Sequence, residues 1–280
     1  MSTYLRPDSL TAALDALGRQ RYGIVAGGTD LYPAHVGRPI TGDLLDITAI
    51  PELRGVDDLG DHWRVGAAAT WSEVCRAPLP ASLEALRQAG REIGGAQIQN
   101  AGTVCGNLCN ASPAADGVPA LLALGARVEL RTADATTVLP LEAFILGPRR
   151  IQRSPDQLVT AVLIPSPPAD ALSGFRKLGS RRYLVISIVM AAAAVTFDAD
   201  DRIAAARVAV GACSPVARRL PALEAALAGA TPTQDWSARV SPSQFESLAP
   251  IDDVRASREY RLEAALTVVT RLLRELQASR

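Results

Sequence analysis

Apolar positions first recur at helical spacing. Leu10, Ala13, Leu14 and Leu17 follow Asp8 or Ser9, either of which suits an N-cap, and Gly18 is placed to end the helix. Gly23 to Ala26 and Leu44 to Ile47 are short apolar runs that predict two buried strands, hence a small sheet under a helical cover before residue 52. Trp63 to Ala67 predicts a strand. Thr70 or Ser72 starts a short helix, and Leu83, Leu86 and Ala89 continue a helical face. Val128 to Arg131 alternates as a half-buried strand, and Leu158 to Ile164 predicts another that stops at Pro165. Ser166 to Asp170, with two prolines, marks the domain boundary. Beyond it, Leu172 to Leu178, Ile186 to Phe197 and Ala205 to Cys213 predict three strands with connections short enough for antiparallel pairing. Helices over Ala217 to Leu227 and Pro242 to Leu248 follow, then a final one from Arg258. In that last helix Leu262, Ala265, Leu266, Val269, Leu272, Leu273 and Leu276 form one stripe, expected to pack on its own sheet rather than zip to a second copy.

The pattern implies an α+β chain: a first domain over 1–168, divided into a small α/β part (1–52) and a larger α+β part (53–168), then a C-terminal α+β domain over 169–280 whose three-stranded antiparallel sheet is covered by helices. With 280 residues and 48% hydrophobic content the chain can bury a sizeable core. Basic and acidic residues balance at 29 each, which argues against nucleic acid or an anionic membrane surface as partner. No apolar run reaches the ~18 residues of a membrane span, and MSTYLRPDSL lacks the features of a signal peptide, so a cytoplasmic location is expected. Four cysteines and two histidines make a poor metal inventory. Cys105 and Cys109, separated by three residues, match neither a zinc knuckle nor an iron–sulfur run.

The candidate chemistry lies in two neutral, glycine-rich stretches. Val25-Ala26-Gly27-Gly28-Thr29-Asp30-Leu31 leaves the first predicted strand, and Ile93 to Asp116 reads as a long loop of Gly, Asn, Thr and Ser with no periodicity after Ile98. Neither contains G-x-G-x-x-G or a P-loop. Two such stretches can hold a pyrophosphate through backbone N–H groups from two directions, while Asp30 and Asp116 can accept from ribose hydroxyls.

The first stretch, together with Asn100-x-Gly102-Thr103-Val104-x-Gly106-Asn107-Leu108-x-x-Ala111-x-Pro113-x-x-Asp116, closely resembles the FAD-binding (medium) subunit of the xanthine dehydrogenase and carbon monoxide dehydrogenase family of molybdenum hydroxylases. Phe175-x-Lys177-x-Gly179-x-Arg181 and Ser257-x-x-Tyr260-Arg261 match later signatures, so the resemblance runs the length of the chain. It implies a two-subdomain FAD-binding domain of the vanillyl-alcohol-oxidase type. Val25 to Leu31 would form the first FAD loop, with Gly27, Gly28 and Thr29 at the pyrophosphate and Asp30 near the ribose. Gly102, Thr103, Gly106, Asn107, Cys109 and Asn110 would hold phosphates and the flavin side, and Asp116 a ribitol or ribose hydroxyl. Ile93 and Ile98 would lie against the cofactor, Val159 or its neighbour Leu158 would cover the ring, and Lys177 would stand near the ring's polar edge. The resemblance further implies that 2Fe–2S clusters and a molybdenum cofactor sit on a small and a large partner subunit, in a heterotrimer or its dimer, with electrons leaving to NAD or another acceptor. No side chain of this chain need act as acid, base or nucleophile.

Two departures stand out. Cys105 occupies a position that is often glycine in the family, and Tyr32 one that is often aliphatic. The cysteine-rich insertion by which some relatives hold a further cluster does not occur after Asp116. Two other readings remain open on the residues: a stand-alone FAD oxidoreductase of the same fold, and a scaffold subunit that has lost its flavin.

Overall fold

The computed structural model describes residues 3–280. Its first sheet is parallel, with β1 (Tyr4–Leu5), β2 (Gly23–Val25) and β3 (Leu44–Asp46) in the order β1-β3-β2. Helix α1 (Leu10–Arg19) carries the chain from β1 to β2 across the place of β3, and residues 26–43 form the crossover from β2 to its parallel neighbour β3. Ser9 caps α1 by accepting from the Ala12 N–H, and the predicted stripe Leu10, Ala13, Leu14 and Leu17 is buried. Gly18 does not end the helix. It lies inside α1 in open space, and the turn closes at Gln20, whose N–H donates to the Ala16 carbonyl.

The second sheet has five strands in the order β4-β5-β10-β6-β7, all paired antiparallel. Between β4 (Val56–Asp58), β5 (His62–Gly66) and the later strands lie five short helices: α2 (Trp71–Arg76), α3 (Glu84–Glu92), α4 (Ala96–Ala101), α5 (Val104–Asn110) and α6 (Gly117–Ala123). Helix α2 starts at Thr70, which forms a capping box with Glu73. After α6 come β6 (Arg127–Arg131), β7 (Thr136–Pro140), the one-turn α7 (Leu141–Phe144), the hairpin β8 (Ile145–Gly147) and β9 (Arg150–Ile151), and β10 (Leu158–Pro165). The continuous apolar run of β10 fits its central place, where Leu158 to Val162 are buried on both faces.

The third sheet holds four strands, not three: β11 (Leu172–Leu178), β12 (Val189–Phe197), β13 (Ile203–Gly211) and β14 (Arg218–Arg219). The fourth was hidden because two residues carry no alternation, and helix α8 accordingly starts at Pro221 rather than Ala217. Strand β12 begins at Val189 because 179–188 turns back over the first domain, and only a 3-10 turn forms over Pro242–Phe245. Helix α9 (Arg258–Ala278), capped by Ser257, lies on β11 and β12 and buries Ala265, Val269, Leu272 and Leu273 there.

Strand β12 decides how the two halves meet. Successive side chains of a strand point to opposite faces. Ala191, Ala193 and Val195 therefore join the α9 core, while Met190 and Ala192 pack with Ala85 and Ala89 of α3, Ala120 and Ala123 of α6, and Phe175 of β11. Alanine on both sides lets α3 and α6 approach closely. The same contact sets the end of β11 above the start of α6.

Candidate functional site

The second glycine-rich stretch is not an extended loop. It folds into α4, α5 and the start of α6, with breaks at Gly102 and at Ala111, which adopts a left-handed conformation (φ 46). Each helix has six or seven residues, too few for hydrophobic periodicity to show in the sequence. Thr103 starts α5 by accepting from the Gly106 N–H at 3.0 Å. The stretch is tied to the β5–α2 junction by Trp71 N–H donating to the Gly102 carbonyl (3.0 Å) and Val104 N–H to the Ala69 carbonyl (3.2 Å).

Strand β2 runs into the Gly27–Asp30 turn, which lies against this scaffold. A methyl on Gly27 would fall 1.9 Å from the Ala101 carbonyl oxygen and 2.9 Å from Gly102 Cα, so the glycine is required where the two stretches touch. Gly28 has φ +67, and a Cβ there would strike the Tyr32 ring at 2.3 Å. Tyr32 thus stacks beneath the turn and does not line the cleft.

Between the two stretches and the third sheet opens a cleft of about 1070 Å³, somewhat above the ~300–1,000 Å³ usual for small-molecule sites and suited to an elongated ligand. It gathers every position expected from the sequence to contact the cofactor. Val25, Ala26, Gly27, Gly28, Thr29, Asp30 and Leu31 line one wall, and Ile93, Ile98, Gly102, Thr103, Gly106, Asn107, Cys109 and Asn110 another; Asp116, Val159 and Lys177 complete it. Asp30 is exposed at the rim. Sequence reasoning missed Arg149 and Arg153, although the Arg149-Arg150-x-x-Arg153 cluster after Pro148 was visible, and it missed Leu184, Val185 and Ile186, which were assigned wholly or partly to a strand or left unassigned. His35 also lines the cleft, its Nδ1 satisfied by the Leu31 carbonyl at 2.8 Å.

Lys177 and Asp116 are paired with each other. Lys177, at the end of β11, is no solvated lysine: its Nζ lies 2.6 Å from Asp116 Oδ2 and 3.2 Å from the Glu92 carbonyl. Ser187 donates to the other carboxylate oxygen. Asp116 therefore has both oxygens engaged by protein, and the Lys177 charge is balanced within the wall. Burial pushes the Asp116 carboxyl above its ordinary value, while Lys177 and Ser187 pull it back. Cys105 turns into the core of the first domain, 2% exposed, where burial raises its thiol far above the ordinary value; its side chain occupies space in the core, not in the turn. Cys109 is raised to about 11, again by burial.

One polar atom of the wall is left over. Asn107 Oδ1 is buried without a hydrogen-bond partner, a costly state that a donor on a bound group would relieve. Open backbone around two glycine turns, aliphatic cover from Val159 and Leu158, and an unpartnered acceptor fit a flavin dinucleotide.

The family model for the FAD binding domain in molybdopterin dehydrogenase matches residues 1–167, and that for the CO dehydrogenase flavoprotein C-terminal domain matches residues 175–276. The chain belongs to the FAD-binding medium subunits of the xanthine dehydrogenase and CO dehydrogenase family of molybdenum hydroxylases. It is 29% identical to the nicotine 6-hydroxylase medium subunit of Paenarthrobacter nicotinovorans over 98% of this chain and 97% of that one. To the putative xanthine dehydrogenase FAD-binding subunit of Escherichia coli strain K12 it is 28% identical, over 99% and 97%. A solved structure of carbon monoxide dehydrogenase from Hydrogenophaga pseudoflava, lacking the Mo-pyranopterin moiety of its cofactor, superposes with a TM-score of 0.89 at 25% identity, covering 99% of this chain and 97% of that one. In this family of oxidoreductases FAD belongs to the medium subunit, and the molybdenum and iron–sulfur cofactors to partner subunits. Among the described residues no helix is long and apolar enough to cross a membrane.

Proposed function

We propose that this medium subunit is the electron-transfer component of a cytoplasmic molybdenum hydroxylase. It would receive electrons from 2Fe–2S clusters on a small partner subunit, which is fed by a large molybdenum-cofactor subunit, and pass them to NAD or another acceptor. The observation that carries this reading is the single cleft in which both glycine stretches, Asn107 and the aliphatic pair Leu158 and Val159 converge. Bound FAD would supply the redox chemistry itself. This chain's residues bind and orient it. Gly27, Gly28, Thr29 and Thr103 present backbone N–H groups to the pyrophosphate; Gly102 and Gly106, whose N–H groups are taken by the Ile98 carbonyl and Thr103 Oγ1, let the chain approach it, and Asp30 meets a ribose hydroxyl at the rim. Asn107, Cys109 and Asn110, with Ile93 and Ile98, line the flavin side, and Val159 covers the ring. The Lys177–Asp116 pair stands at the polar edge, where the ammonium rather than the carboxylate has a donor to offer. The domain division at residue 168 is supported by one core built almost wholly from residues before the Pro165 to Leu172 connection and another from residues after it, with a small alanine-rich cluster between them.

Relatives similar along their whole length carry names with unrelated substrates, nicotine, xanthine and carbon monoxide among them, which supports placing substrate choice on a partner chain. The test is the visible spectrum of the purified chain before and after FAD addition and desalting, followed by NADH. Retained flavin absorption supports the reading, and bleaching by NADH supports NAD as acceptor. A colourless chain that retains no FAD favours a scaffold, and turnover of a substrate without partner chains favours a stand-alone oxidoreductase.

A further inference from the structure

Arg261, in the first turn of α9, is 2% exposed, yet its guanidinium faces backbone rather than a ligand. Nη1 donates to the Ile188 carbonyl (2.7 Å) and the Ala212 carbonyl (3.1 Å), and Nη2 to Asp253 (2.7 Å). Its Nε has no partner. A buried ion pair contributes little net stability compared with a packed apolar pair, and a missing hydrogen bond makes it worse. Both carbonyls that it holds belong to short paths to the same place. Ile188 follows Ser187, whose hydroxyl donates to Asp116. Ala212, held in a left-handed conformation at φ 61, donates its N–H to the Pro113 carbonyl at 3.0 Å. Two hydrogen-bonded threads therefore run from one guanidinium in the second domain to the two ends of Pro113–Asp116, the segment that carries the cleft's buried carboxylate.

We propose that Arg261 is a positioning residue for the flavin cleft, fixing the Ile188 and Ala212 carbonyls so that Ser187 and the Pro113–Asp116 segment are held in register with Lys177. This inference rests on the reading that the cleft holds FAD. None of the hydrogen bonds of Arg261 reaches a residue that lines the cleft. It acts through backbone, and Asp253 orients it from the surface side.

The test uses the full-length chain with four readouts: FAD Kd by titration, visible circular dichroism of the bound flavin, amide hydrogen exchange at residues 114–116 without FAD, and thermal stability. Arg261→Lys, which keeps the charge but loses the fork, is expected to raise the FAD Kd roughly tenfold, alter the flavin dichroism and speed exchange at 114–116, with Ser187→Ala doing the same more weakly. Ser187→Thr is expected to restore wild-type behaviour. Because the two residues share one path, the double variant is expected to fall short of the product of the single effects. A variant that loses thermal stability but keeps the wild-type Kd, dichroism and exchange overturns the proposal, as do single effects that simply multiply. Where Arg261→Lys does not fold, Asp253→Asn frees the guanidinium from the more exposed side and is expected to give the same changes; an unchanged Kd and exchange overturn it. Failure of the wild-type chain to bind FAD overturns the cofactor reading and this inference with it, whereas wild-type binding with unchanged variants overturns this inference alone.

Discussion

Lys177 Nζ lies 2.6 Å from Asp116 Oδ2, with side-chain exposures of 5% and 8%, so one buried ion pair joins β11 of the second domain to the start of α6 in the first. Removing one partner leaves the other buried and uncompensated. Lys177→Met is expected to destabilise the chain by about 3–5 kcal/mol in urea denaturation, and Lys177→Met with Asp116→Leu to recover most of the loss. A double variant whose loss equals the sum of the Lys177→Met and Asp116→Leu losses would show that the pair is not coupled.

Asn107 offers the opposite signature. Its Oδ1 is buried and unpartnered without ligand, so Asn107→Leu removes a desolvated acceptor and is expected to leave the apo melting temperature unchanged or higher. FAD affinity should fall about tenfold, the worth of roughly one good hydrogen bond. Calorimetric melting with and without FAD separates the two effects. A variant that loses apo stability and keeps its affinity contradicts a ligand role for Oδ1.

Gly27 and Gly28 are adjacent but fail differently. Gly27→Ala drives a methyl into the Ala101 carbonyl at 1.9 Å, where only backbone can yield. The expected cost is at or above the ~1–3 kcal/mol of ordinary overpacking, together with loss of retained flavin absorption because the two cleft walls separate. Gly28→Ala meets left-handed strain of about 1–2 kcal/mol and a movable Tyr32 ring, and Tyr32→Ala should relieve the ring contact but not the strain.

Acid sensitivity follows from Asp253. Burial alone would raise its carboxyl, but the Arg255 N–H and the Arg261 and Arg255 guanidiniums outweigh that and lower it from 3.8 to about 2. Between these values the unfolded chain binds more protons than the folded one, so this contribution is present above 3.8 and lost as pH falls toward 2. Melting temperatures across that window should fall less steeply in Asp253→Asn than in the wild type. Asp116 has the opposite sign. Its raised carboxyl favours the fold at low pH, and that contribution is lost as pH rises through its folded value.

The longer elements were legible because each carries its own period. The α1 stripe from Leu10 to Leu17, the continuous run of β10 and the α9 stripe from Leu262 to Leu276 all formed where the pattern placed them. Shorter ones were not: a strand of two residues such as β14, or helices of one to two turns such as α4 and α5, are too brief to repeat. The glycine stretches were legible as candidate chemistry through composition alone, but their conformation was not. Gly27 serves contact with Ala101, and Gly106 leaves room for the Thr103 cap, where a Cβ would meet Oγ1 at 2.7 Å.

By itself the sequence determined the motif residues that gather at the cleft, though not Arg149, Arg153 or Leu184 to Ile186, because motif residues at fixed separations carry a family's chemistry wherever the chain takes them, and it determined the membership that the family models show. Only the tertiary structure decided how charge is distributed there. Lys177 and Asp116 are 61 residues apart, and Arg261 lies 73 residues from the Ile188 carbonyl that it holds. No local period records such a pairing. Whether a lysine is solvated or a carboxylate is already engaged depends on burial and on a partner from another element, and here the packing of alanines between β12, α3 and α6 brings those elements together.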